Sequence, residues 1–523
     1  MSGGGPYLVG VDLGSSGCKA AVFGPDLAPL VSAQAGYAPR CPVPGAVELE
    51  LDEVWAALRS ALRSALGDAL SAGGERASFA LCFAVLGDAL VATAPGGEAL
   101  GPALLSSDTR SAPLCLRIGR ELGDEALVHT TGRRAHPMTV LPRIMWLRER
   151  DRAAVDDATV YQDLQGWLLA RLGVGVVTDP SLASGFLLYD LERRGWSGEL
   201  LRYAGLRERQ LPRVQPAGTA AGLVPPGRAA ELGFPRGAKV IAVVGAQDQP
   251  CNLLGAGAVA EGDALRSLGT VACLSLVLAP GADRRVLADG GYYRAPTALP
   301  EQYMTQAIVW SGGAALHWFA ERIVASPHAP EREADAYERL LEGATTPRGL
   351  LFLPHLCGAG TPGMDPLSRG ALVGLTLATD APSIAQAIVE GVAFEQAVNL
   401  RWLESHGMHV GGLFAVGGGS RSDAWLALCA DVLGRVVKRL AASDGCLGAA
   451  LLAAQGAGLV SELPAAARTA ARTAATFAPS PRQAALAAKL DLYLRLRSGL
   501  TEISHALAGW EAAQRGDDVP ARG

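Results

Sequence analysis

Three small-residue turns and one isolated acid carry most of the chemistry available to this chain. The first turn is Asp12-Leu13-Gly14-Ser15-Ser16-Gly17-Cys18-Lys19. Nothing bulky blocks an approach to Gly14, Ser15 and Ser16, so a hairpin turn there can offer backbone N–H groups and hydroxyls to phosphate oxygens, with Lys19 as a nearby cation. It is not a P-loop. That motif needs a hydroxyl after its lysine and then a helix, whereas Ala20 follows Lys19 and the residues beyond are strand-like. Asp12, at a strand end, suits a magnesium ion that keeps much of its water. Seen alone, this is an ordinary tight turn with a solvated acid and lysine. The same plan recurs at Gly269-Thr270, between two further apolar runs, and the recurrence favours the phosphate reading. Asp248 ends another apolar run, where a carboxylate can take the proton of an attacking hydroxyl during phosphoryl transfer, or can simply cap a helix. The third turn, Gly417-Gly418-Gly419-Ser420, precedes a helix and lets a flat ligand approach the backbone. Gly312-Gly313 is a weaker version, for which close packing is the default.

Strands and helices in alternation position these residues. Tyr7–Leu13 and Cys18–Phe23 predict a hairpin; Val54, Trp55, Leu58, Leu62 and Leu66 predict a helix beginning near Asp52 as its cap; Phe79–Val85 and Ala89–Thr93 predict strands. The pattern restarts near residue 240 with Lys239–Val244, after a Pro- and Gly-rich linker over 215–237. Ala264–Leu268 and Val271–Val277 then predict a second hairpin, and Gly412–Val416 a late strand. This reads as an α/β chain divided into 1–245, 246–458 and a helical extension over 459–523 with a disordered polar end.

The 523 residues are 49% hydrophobic and 19% charged, with a formal charge of −5, so a large core is expected and wholesale nucleic-acid binding is not. Lys19, Lys239, Lys438 and Lys489 are the only lysines, so the one inside the first turn stands out. No apolar stretch reaches membrane-spanning length and no leader is expected. The nine cysteines are scattered without a C-x-x-C pair and read as reduced residues of a cytoplasmic protein. His406 and His409 lack nearby Cys or carboxylate partners, so no zinc site is expected.

From Tyr7 to Ala454 these pieces, in this order, resemble the FGGY carbohydrate kinases. Asp12 to Lys19 is similar to the family's first phosphate hairpin, with Ser15 where threonine is usual. Leu104 to Arg110 is similar to its W-x-D-x-R segment, with Ser106 in place of the tryptophan. Asp163–Leu168, Thr178–Ser184, Trp196-Ser197 and Leu211-Pro212 continue the order. Asp248 matches the catalytic aspartate and Gly269-Thr270 the second hairpin. Phe352–Pro354, Thr361-Pro362, Gly370–Leu375 and Ile384–Gly391 resemble the C-terminal signature, with Ser383 departing from it. Gly417–Asp423 and Trp425 resemble the adenosine loop, with Asp431 behind it.

The resemblance implies two actin-like (ribonuclease H-like) domains around a catalytic cleft, and ATP-dependent phosphorylation of a sugar or polyol, a ketose such as xylulose being the first choice. It implies ATP binding by Gly14, Ser15, Ser16, Lys19, Gly269, Thr270, Gly313, Gly417, Gly418, Gly419 and Ser420, and Mg²⁺ near Asp12 and Asp248. Asp248 is the implied base, with Val85, Leu86, Asp108 and Asp248 on the acceptor side. The partner is a small molecule, with neither nucleic acid nor membrane, and a homodimer is compatible. Departures gather on the acceptor side. Phe83-Ala84-Val85-Leu86-Gly87 stands where xylulokinases carry G-Q-M-H-G, and Ala359-Gly360-Thr361-Pro362 where they carry E-R-T-P. Lost polar readers alter which hydroxyls can be recognised, so a ketose of a less usual kind, a deoxy sugar or another sugar-like molecule also fits, and glycerol kinases are expected as a weaker likeness. A non-catalytic nucleotide-binding sugar sensor is the alternative. An ATPase chaperone of the same fold lacks a candidate peptide-binding β-domain.

Overall fold

Apolar runs buried on both faces become central strands here. The computed structural model describes residues 6–70, 78–150, 156, 158–324, 349–441 and 445–515. The chain opens with β1 (Tyr7–Leu13), β2 (Gly17–Phe23) and β3 (Pro29–Gly36), an antiparallel meander. Helix α1 (Leu51–Leu70) follows, so Asp52 lies in its first turn rather than capping it, and still complements the helix dipole there. Its predicted stripe is buried against the sheet with Val9, Val11 and Phe83. Next come β4 (Ser78–Val85), β5 (Ala220–Leu223), β6 (Lys239–Gln247) and α2 (Asp248–Gly255). The six strands lie in the order β5-β6-β4-β1-β2-β3, with β6, β4 and β1 mutually parallel.

The second sheet repeats this plan. It contains β7 (Ala264–Leu268), β8 (Ala272–Leu278), β9 (Ala295–Pro296) and β10 (Tyr303–Val309). Then follow α3 (Ala381–Ser405), β11 (Leu413–Val416), α4 (Asp423–Leu433), β12 (Val437–Leu440), α5 (Gly445–Gly456) and β13 (Thr473–Phe477). The order is β9-β10-β8-β7-β11-β12-β13, with β7, β11 and β12 parallel. In both sheets a meander is extended by two parallel strands on its first member, as expected of duplicated actin-like domains.

Three expectations change. The restart near residue 240 is corrected, because β6 is buried in the first sheet; an apolar run announces burial but not which sheet supplies it. The stretch 215–237 is not a bare linker, since its β5 pairs with β6 along the sheet edge. The segment after 459 is not wholly helical, since β13 pairs with β12 before α6 (Gln483–Gly499) and α7 (Thr501–Arg515). The polar end expected from Arg515 onward starts on the last residue of α7, and 516–523 lie outside the described residues.

Helix α5 crosses back. It follows β12 in sequence but lies on the first sheet, where Cys446, Ala450 and Leu451 join a core with Leu8, Ala80 and Cys82. A Cβ on Gly10 would lie 2.0 Å from the Cys446 carbonyl oxygen, so only glycine allows this approach. Farther along, α6 is pinned to α3. Lys489 pairs with buried Glu390, and the Tyr493 hydroxyl donates to Glu395 at 2.7 Å.

Candidate active site

Parallel pairing brings the ends of β1, β4 and β6 to one edge, with Leu13 opposite Val85 and Val85 opposite Gln247. Asp12 and Asp248 therefore emerge there two strands apart, a backbone separation of about 10 Å at ordinary strand spacing. A bulge between Val243 and Ala246 turns the last residues of β6. Two side chains hold it: Gly245 N–H donates to Gln165 Oε1 at 2.8 Å, and Gln247 N–H donates to Ser181 Oγ at 2.9 Å. The Ser181 hydroxyl donates onward to buried Asp179, whose carboxyl burial pushes up to about 7. The motif segments around 165 and 179 thus act as a brace for the strand that delivers Asp248. Asp248 opens α2, and its Oδ1 accepts the Gln249 N–H at 2.7 Å. Burial pushes its carboxyl up to about 6, the Gln249 hydrogen bonds oppose the rise, and the charge of Asp88 adds to it. Such a group is mostly ionised at pH 7 yet still basic enough to accept a proton.

Both hairpin turns are tied down through their carbonyls. Tyr37 donates its hydroxyl to Gly14 O at 2.7 Å and its N–H to Ser16 O at 3.1 Å, with Ser15 and Ser16 exposed. In the second turn Gly269 O accepts from Gly313 N–H at 2.8 Å and Thr270 O from Ala314 N–H at 3.2 Å. Gly313 therefore supports that turn from behind. β7 and β11 are parallel neighbours, so the second turn and the glycine loop leave the same sheet edge. Gly417 has φ of 90°, and a Cβ there would lie 2.8 Å from the Leu268 carbonyl oxygen. The Ser420 hydroxyl donates to Gly417 O at 2.7 Å, and Gly419 lies against the Trp425 ring. A cleft of about 600 Å³ brings Lys19 of the first sheet together with Gly417, Gly418, Ser420, Arg421 and Arg439 of the second.

The acceptor side differs from expectation. Val85 is fully buried in the core under α1, and Leu86 packs against the same core, so neither presents a recognising group. Asp108 is also buried, and its two oxygens accept from Arg110 and from Val47 N–H. It is a structural anchor. The residues that do gather there were not singled out from the sequence. Asp88, with φ of 57°, is held at its carbonyl by the buried guanidinium of Arg143. Its carboxylate accepts from Arg133 Nη1 at 3.2 Å. The Arg133 guanidinium lies over the Tyr293 ring at 4.1 Å, and the Tyr293 hydroxyl donates to Gln306. Gln306 donates to Ser275 Oγ at 3.3 Å, and Ser275 donates to Gln249 Oε1 at 3.2 Å, next to Asp248. Asp88 did leave a trace in the sequence, as the sole charge in the apolar stretch 79–93. Arg133 and Tyr293 left none, because tertiary folding alone brings them together.

The family model described as "FGGY family of carbohydrate kinases, N-terminal domain" matches residues 7–255, and its C-terminal counterpart matches residues 264–457. The chain belongs to the FGGY family of carbohydrate kinases. This FGGY kinase is 27% identical to a xylulose kinase of Bacillus subtilis (strain 168), over 96% of this chain and 98% of that one. It is 34% identical to a glycerol kinase of Thermus brockianus, over 89% of this chain and 93% of that one. The xylulose kinase matches over more of both chains and the glycerol kinase at the higher identity. Among solved structures, a xyloylose kinase from Brucella ovis superposes with a TM-score of 0.83 at 28% identity, covering 96% of this chain and 100% of that one. The FGGY kinase is thus a phosphotransferase with ATP as its phosphate donor, acting on a sugar or polyol hydroxyl. Among its described residues no helix is long and apolar enough to cross a membrane.

Proposed function

We propose that Asp248 removes the proton from an acceptor hydroxyl as that oxygen attacks the terminal phosphate of ATP. The observation that carries this is the half-buried carboxyl of Asp248, raised to about 6, on a braced strand end beside the polar chain to Asp88. In this reading the hydroxyl proton passes to Asp248, the new O–P bond forms, and ADP leaves with the bridging oxygen. The Ser15-Ser16 and Gly269-Thr270 turns receive the phosphates, and the Gly417–Ser420 loop takes the adenosine.

The residues fit a magnesium ion. Mg²⁺ binds through one or two carboxylates plus phosphates and keeps its other waters. Asp12 and Asp248, on one sheet edge with a single strand between them, would hold such an ion from either side through its waters, and no group of three or more metal-ligating side chains occurs among the described residues. When bound, the ion supplies neutralisation of phosphate charge. Asp12 Oδ2 is oriented by the Gly445 N–H at 3.2 Å. The acceptor is a ketose such as xylulose or a polyol, and the free cysteines support a cytoplasmic setting. A coupled ADP-release screen over ketopentoses, ketohexoses, deoxy sugars and polyols tests the reading. Silence across that panel with ATP still bound would point to the sensor alternative, which no observation in the structure favours by itself.

A further inference from the structure

We infer that Arg133 is the specificity-determining residue for the far end of the acceptor, where it takes two adjacent oxygens on its free guanidinium edge. This rests on the kinase reading above. Arg133 is only 4% exposed and lines a cavity of about 290 Å³ between the two lobes, together with His136, Tyr293, Gln306, Ile308 and Met364. Its Nη1 serves Asp88, while Nε and Nη2 are buried without a hydrogen-bond partner. Buried, unpaired donors on a cation are costly to leave unmatched. Nε and Nη2 form one edge of the planar group, and that fork matches two oxygens held side by side, as in a carboxylate or a vicinal diol.

Rigid neighbours fix the edge. Tyr293 lies under the guanidinium, Asp88 holds one end, and a Cβ on Gly185 would fall 1.9 Å from Asp88 Oδ1, so the carboxylate is packed tightly as well. The hydrogen-bonded series through Tyr293, Gln306, Ser275 and Gln249 separates Arg133 from Asp248. Asp248 is not among the residues lining that cavity, so an acceptor with one hydroxyl at Asp248 has to extend into it to reach the fork, and a three-carbon acceptor is expected to engage it least. The chemical class is an acyclic or ring sugar derivative of five or six carbons that ends in paired oxygens, either a sugar acid or a neutral polyol.

Calorimetric titration of the full chain with a six-carbon aldonate, the corresponding alditol and glycerol tests this in wild type and in Arg133→Lys. Lysine keeps the charge opposite Asp88 but loses the fork, so the variant separates the hydrogen-bonding role from a folding defect. Arg133→Met, with its thermal midpoint recorded alongside, is the second variant. The expected result is that wild type binds at least one six-carbon ligand, and that Arg133→Lys weakens it about 10- to 100-fold relative to glycerol, the scale of one or two charge-assisted hydrogen bonds. Loss on the aldonate alone identifies a carboxylate at the fork, and loss on the alditol identifies a diol. Equal weakening of glycerol and the six-carbon ligands, no weakening of any, or no six-carbon binding by wild type each overturns the inference. Binding that follows the prediction without ATP consumption would leave it standing and refute the kinase reading instead.

Discussion

Replacing Asp248 by asparagine tests the proposed base through two independent readouts. The side chain keeps its size and can still accept the Gln249 N–H, so the brace through Ser181 and Gln165 is undisturbed. Loss of a positioned general base lowers kcat by about 10²- to 10⁴-fold. In wild type the carboxyl at about 6 puts an acid limb on the pH profile, and activity falls about tenfold per pH unit below that value. The second readout is stability. A carboxyl whose folded pKa is raised from 3.8 to about 6 stabilises the fold only while protonated. Its contribution is complete below about 4 and is lost as pH rises through 6. Asp248→Asn removes that loss, so at pH 8 the variant is more stable by about 1–3 kcal/mol, and the difference shrinks towards pH 4. Coupled ADP release between pH 5 and 8, with thermal midpoints over pH 4 to 8, measures both effects. An acid limb near pH 4 combined with near-normal turnover of the variant would refute the assignment.

Other positions give equally direct outcomes. Gly417→Ala places a Cβ against the Leu268 backbone at a positive φ, so it should destabilise the loop by about 1–3 kcal/mol and weaken ADP binding in a calorimetric titration. Lys489→Met leaves Glu390 buried without its partner and should cost about 3–5 kcal/mol by chemical denaturation. The double variant Glu390→Gln/Lys489→Met should recover more than half of that. At Glu395 burial alone would raise the carboxyl, but His355, Arg497 and Tyr493 hold it below its ordinary value. Its stabilisation is present above the unfolded value and lost as pH falls through the folded one, so the thermal-midpoint deficit of Glu395→Gln should be largest near neutrality and shrink in acid.

Local features of the fold were legible in the sequence, whereas pairings between distant segments were not. Both hairpins and the helical stripe from Val54 to Leu66 follow from apolar periodicity and small-residue turns, and they stand where expected. The pairing partner of Lys239–Gln247 was hidden: division at residue 245 leaves this strand with the first unit, but nothing local says that it lies beside Ser78–Val85. The two hairpin turns and the glycine loop were legible as turns, because their glycines and hydroxyls are contiguous in the chain. On the acceptor side, Val85 and Asp108 looked suitable by type and order, yet one is core and the other is consumed by Arg110 and a backbone amide. Asp88, Arg133, Tyr293 and Gln306 come from four separate stretches, and no local pattern links them.

The return of Gly445–Gly456 to the opening sheet bears on biosynthesis. While a ribosome is still making the second half, the face formed by Leu8, Ala80 and Cys82 has Cys251 and Leu254 of α2 beside it but lacks the helix that completes its cover, although every strand of that sheet has already emerged. The first lobe can complete its interior only after some two hundred further residues have been added, so a chaperone that shields this face should associate with the nascent chain until Cys446 and Leu451 arrive. Supplying the missing helix as a separate peptide should rescue a fragment ending after Gly255, and the same peptide carrying alanine at Gly448, where a Cβ would meet the Cys251 carbonyl oxygen, should not.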